Sequence, residues 1–116
     1  MILAGIVYYI AAILLLAGCL FALLAAVGIV RLPDLYTRMH AASKAGAVAA
    51  GMALLAAGLA SLDVAVALRA ILGILFILLT TPISAHLLAR AALLAGIRPG
   101  AETRVNDLDA NEPRQD

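Results

Sequence analysis

The chain has 116 residues, 66% of them hydrophobic and 13% charged, with a net charge of +1 and a mean hydropathy of +1.11. A soluble domain is about half apolar and about a quarter charged, so this composition excludes a soluble enzyme and a nucleic-acid partner. It marks an all-α integral membrane protein. The single cysteine, Cys19, leaves no internal disulfide and no cluster for a metal; neither a metal nor a cofactor is expected.

The first apolar segment runs over about residues 3–30 and exceeds the ~20 residues that span ~30 Å of hydrocarbon as a helix. No Lys or Arg precedes it, and it is too long for the ~7–15 residue core of a cleaved signal peptide. Leucines and Phe21 give it a bulky, lipid-compatible middle, and Tyr8 and Tyr9 suit an interfacial belt. The second span is predicted over residues 45–62. It is rich in alanine and glycine, and small residues recur four apart: Gly46 with Ala50, Ala47 with Gly51, Ala53 with Ala57. Such spacing lets helix backbones approach closely in a membrane, so Gly46, Ala50, Gly51, Ala53 and Ala57 are the candidate packing residues. Lipid matches so thin a helix poorly, and surrounding helices, some from other chains, are expected.

The short turn around Asp63 makes the second and third spans an antiparallel hairpin. The third is predicted over residues 65–88. It carries Arg69 near its start, Thr80-Thr81-Pro82 in its second half and His86 near its end. Residues 1–96 thus form one three-helix transmembrane domain, and residues 97–116 a polar, solvated tail expected to be disordered. With three spans, Arg31, Arg38, Lys44, Arg90, Arg98, Arg104 and Arg114 fall on one side and Arg69 alone on the other. The positive-inside rule then places the Arg31–Lys44 connection and the tail in the cytoplasm and the N-terminus outside. The expected location is the bacterial cytoplasmic (inner) membrane, as a multi-pass protein.

Polarity is concentrated in that connection. Residues 1–30 and 45–62 are uncharged, while residues 31–44 hold Arg31, Asp34, Arg38, His40 and Lys44 beside Pro33 and Tyr36. Pro33 disfavours helix at Leu32 and suits a helix start, and Asp34 after it can cap exposed amides. Tyr36 and Arg38 suit the headgroup level, and His40 and Lys44, four apart, share a face where the chain is helical. Residue chemistry leaves two readings open, an anchored amphipathic turn or a docking surface or ion portal.

The string Gly28-Ile29-Val30-Arg31-Leu32-Pro33-Asp34-Leu35-Tyr36-Thr37-Arg38-Met39-His40-Ala41-Ala42-Ser43-Lys44 closely resembles the signature of the G subunit of the Mrp-type (Mnh/Pha-like) multisubunit monovalent cation/proton antiporters. Thr80-Thr81-Pro82-Ile83-Ser84-Ala85-His86 is similar to that family's second landmark. The resemblance covers residues 1–95. It implies a subunit of a seven-subunit complex with A- to F-type partners, exchanging Na+ (or Li+ or K+) for H+. G-like subunits of the same lineage also occur in membrane-bound hydrogenases.

The residues point the same way independently. Coupled antiport needs an intramembrane ionisable group, usually Asp or Glu, and the three predicted spans contain neither acid. An accessory subunit, needed for assembly and for bracing or lining a cation path, fits better than an antiporter acting alone; no catalytic residue and no enzymatic activity are expected. Pro82 removes a helix hydrogen bond and leaves the Leu78 carbonyl exposed. That carbonyl and the hydroxyls of Thr80 and Thr81 are candidate ion-path oxygens, the alternative being a purely structural kink. His86 is a candidate proton relay, the alternative being an interfacial, hydrogen-bonded histidine. Two other classes compete. A holin-like, self-assembling pore protein needs no ordered Pro-Asp-Leu-Tyr element, and a small drug/proton antiporter needs an acid in its first helix, which is absent.

Overall fold

The structure is a computed structural model that describes residues 1–97. It contains three long helices, α1 (Ile2–Arg31), α2 (Leu35–Ser61) and α3 (Val64–Leu94). Each is long and apolar enough to cross a membrane. The polar tail expected to be disordered lies outside the described residues from 98 onward.

The helices form a row rather than a closed bundle. α2 packs on α1 along one side and on α3 along the other, and among the described residues α1 and α3 do not touch. Among the described residues every buried one is alanine or glycine: Ala11, Gly18 and Ala25 of α1; Ala49, Ala56 and Gly58 of α2; Ala70 and Ala92 of α3. Within α1 these recur every seven residues, as do Ala49 and Ala56 on α2. A seven-residue repeat holds one seam in register between two near-antiparallel helices. Small side chains there bring the backbones together, and dispersion supplies the attraction that water would supply in a soluble core. A Cβ on Gly18 would lie 3.1 Å from the Ala49 carbonyl oxygen, and one on Gly28 only 2.8 Å from Ala41 Cβ.

Two positions differ from the sequence expectation. α2 begins at Leu35, not near residue 45, so most of the polar connection is helix and the reversal between α1 and α2 is confined to Leu32, Pro33 and Asp34. α3 runs to Leu94, past residue 88, and stops at a Schellman motif. Gly96 takes the left-handed conformation (φ 84), its amide donates to the Leu93 carbonyl at 3.1 Å, and the Ile97 amide donates to the Ala92 carbonyl at 3.0 Å. The α2–α3 turn falls where expected. Leu62 ends α2 in the left-handed region (φ 51), Ser61 Oγ donates to the Gly58 carbonyl at 2.8 Å, and Asp63 opens α3.

Candidate functional site

The Arg31–Lys44 stretch builds the end of the molecule where α1 stops, α2 starts and α3 finishes. Pro33 holds the residue before it extended, and Leu32 (φ −73, ψ 137) duly leaves the helix. Asp34 then caps α2: its Oδ1 accepts from the Tyr36 amide at 3.3 Å, and its carbonyl accepts from the Arg38 amide at 3.0 Å and from Thr37 Oγ1 at 2.9 Å. Arg38 Nε donates back to the Leu32 carbonyl, satisfying an acceptor that the end of α1 leaves free. Tyr36 reaches across to α3, and its hydroxyl donates to the Ile97 carbonyl at 2.6 Å. The first turn of α2 thus ties both neighbouring helix ends together. Asp34 Oδ2 is buried without a partner among the described residues.

His40 and Lys44 stand one turn apart on α2, both exposed, as the helical reading of their spacing requires. Arg31 is exposed at the last turn of α1. Thr80 and Thr81 are half-buried, whereas Pro82 and His86 are exposed on α3. α3 continues unbroken through Pro82.

The α2–α3 interface brings several of these residues together. The two helices are closest near the Asp63 turn, where a Cβ on Gly58 would sit 3.0 Å from Ala70 Cβ. Leu54 Cδ1 still lies 3.2 Å from the Cβ position of Gly73. Beyond that point a groove of about 620 Å³ opens on one face, bordered by His40, Lys44, Val48, Leu55, Leu78 and Thr81 among others. A second groove of about 460 Å³ opens on the opposite face, bordered by Met39, Thr80, Thr81 and Ser84. Ser43, Ile77, Thr81 and Ala85 border both, so Thr81 stands where the two grooves meet between α2 and α3. His86 borders neither groove.

The packing residues sort differently. Gly46, Ala50 and Ala53 border one groove between α1 and α2, and Ala53 and Ala57 a second, smaller one, but the closest approaches fall at Gly18, Gly28, Gly58 and Gly73. A Cβ on Gly46 or Gly51 would meet nothing within 4 Å. Gly18 and Gly28 carry no local signal in a leucine-rich helix; the seven-residue spacing of Ala11, Gly18 and Ala25 was the trace available.

Both acids among the described residues are helix caps. Asp63 Oδ1 accepts from the Ala65 amide at 2.7 Å, as Asp34 does from Tyr36. No acid lies within a helix, and no group of three His, Cys, Asp or Glu able to hold a metal ion exists among the described residues.

Three long apolar helices, packed through alanine and glycine and with nearly all their bulky side chains facing outward, define a small multi-pass membrane protein. A protein-family model described as Na+/H+ antiporter subunit (PhaG, MnhG and YufB) matches residues 14–93, and the chain belongs to that family. Subunit G1 of a Na+/H+ antiporter from Staphylococcus saprophyticus is 44% identical over 91 residues, covering 75% of each chain. The corresponding protein of Staphylococcus haemolyticus is 35% identical over 106 residues, covering 90% of each. Among solved structures, a chain of the Mrp complex from a Dietzia species superposes with a TM-score of 0.85 at 25% identity, over 90% of this chain and 95% of that one. A chain of the archaeal membrane-bound sulfane sulfur reductase, a respiratory membrane complex, gives 0.79 at 39% identity, over 88% and 94%.

Proposed function

We propose that this chain is a structural, non-catalytic subunit of a multisubunit monovalent cation/proton antiporter, needed for assembly and for bracing or lining the cation path beside acid-bearing partners. One observation carries the reading: the two acids among the described residues are spent as helix caps at the membrane edges, leaving no carboxylate at membrane depth to alternate between a proton and Na+. Family membership and the likeness to a Mrp-complex chain support the partners, which are the other subunits of such a complex. The row architecture supports it too. Among the described residues α2 is flanked on only two sides, which leaves its remaining faces for neighbouring subunits.

The Arg31–Lys44 end faces the cytoplasm in this reading, following the charge asymmetry. Thr80, Thr81 and the Leu78 carbonyl offer oxygens beside the α2–α3 opening, and His86 stands apart from it at the basic end. Na+-dependent proton movement in everted vesicles tests the proposal. Deleting the chain from the complex should abolish exchange and reduce assembly of the remaining subunits, and the chain expressed alone should give none. Robust exchange by the chain alone overturns the accessory role, and leakage of large solutes would favour a holin-like pore.

A second reading has its own support. The likeness to a chain of a respiratory sulfane sulfur reductase fits the homologous G-like subunit of a membrane-bound redox complex. Co-purification with redox subunits instead of antiporter subunits would select it.

A further inference from the structure

We infer that the groove between α2 and α3 is a binding site for an anionic phospholipid, with one acyl chain between the helices and the phosphate at Lys44 and His40. The groove is walled by apolar side chains, among them Val48, Leu55 and Leu78; Lys44, His40 and Ser43 stand together at one end, and the half-buried Thr81 is the one other polar side chain on its described wall. Among the described residues no carboxylate borders it. That end carries the basic belt of the molecule, with Arg31 and Arg38 close by in sequence, where an anionic headgroup finds its counter-charge.

Depth separates a lipid from a partner helix. From Lys44 to Leu55 along α2 is about 16 Å at ~1.5 Å per residue, about half of the ~30 Å hydrocarbon core. The groove then stops where Leu54 closes on Gly73 and Gly58 closes on Ala70. A transmembrane helix seated in it would be pushed out at mid-membrane, whereas a lipid of one leaflet, headgroup at the surface and chain end at the bilayer centre, fits its full length. The opening of about 620 Å³ also lies within the ~300–1,000 Å³ of ordinary small-molecule sites.

The test uses the full chain, purified with its co-assembled subunits and placed in nanodiscs of phosphatidylcholine. Each sample is doped with a trace of phosphatidylglycerol or phosphatidylcholine carrying a photoreactive group at the acyl terminus. Phosphatidylglycerol should label peptides near Leu55 and Ile74, at the closed end of the groove, in preference to phosphatidylcholine. Lys44→Gln, at an exposed position, should reduce that preference about fivefold, the factor one basic group confers near an anionic surface. Gly51→Leu places a side chain in the groove, where a Cβ meets nothing within 4 Å, and should remove the labelling. Equal labelling by both lipids, or labelling unchanged by either substitution, overturns the site. So does cross-linking of Gly51→Cys to another subunit in place of lipid labelling, which would assign the groove to a protein partner.

Discussion

Three glycine substitutions separate backbone propensity from helix packing. Ala is favoured over Gly in a helix by about 1 kcal/mol, and that gain applies equally to Gly18→Ala, Gly28→Ala and Gly51→Ala. The neighbours differ. At Gly18 the added Cβ meets the Ala49 carbonyl oxygen at 3.1 Å, Met52 Cβ at 3.2 Å and the Ala53 amide nitrogen at 3.5 Å. Two of these are backbone atoms of α2, which cannot rotate aside, so the helices must separate. At Gly28 the contact is 2.8 Å from Ala41 Cβ, which is itself fixed to the α2 backbone. At Gly51 nothing stands within 4 Å. Overpacking costs about 1–3 kcal/mol, so Gly18→Ala and Gly28→Ala should fall below Gly51→Ala by about that amount, or about 5- to 150-fold in the folding equilibrium. Energy transfer between dyes on the ends of α1 and α2, followed through an SDS titration in mixed micelles, reads the loss directly. Equal midpoints for Gly18→Ala and Gly51→Ala would refute the close-packed seam.

Tyr36→Phe removes the hydroxyl donated to the Ile97 carbonyl; it should cost about 0.5–1.5 kcal/mol and speed amide hydrogen exchange at the C-terminal end of α3, leaving the centre of α1 unchanged. Asp34→Ala should lower α2 stability by about 1 kcal/mol, while Asp34→Asn, an equally good cap, should keep it. If Asp34→Asn assembles normally yet loses exchange, the carboxylate acts on the ion and not only on the helix. Pro82→Ala is expected to reduce ion exchange in vesicles more than it reduces complex assembly, measured by co-purification. Loss of the assembled complex would make Pro82 an architectural residue.

The three spans, the hairpin turn at Asp63 and the capping role of Asp34 were legible because each follows from local chemistry: long apolar runs, a short polar break, a carboxylate after a proline. The start of α2 was obscured because charge density resembles a loop. Arg38, His40 and Lys44 nonetheless stand on regular helix, since long basic side chains can keep their heads at the surface while their backbone is hydrogen-bonded. The end of α3 was signalled by Gly96, the residue a left-handed helix stop favours. Which small residues pack was illegible for a different reason. α2 is thin on every side, so spacing alone offers several equivalent seams, and the choice is made by Gly18 and Gly28 on a helix whose leucines conceal them. The α2–α3 opening belongs to two helices side by side, which the periodicity of neither one records.

Purified chain reconstituted by itself into sealed liposomes, with an outward Na+ gradient and an internal pH dye, tests the central claim most directly. The account predicts no Na+-dependent proton movement above that of empty liposomes, with exchange appearing once the acid-bearing subunits are added. Sustained Na+/H+ exchange by this polypeptide unaided would contradict it.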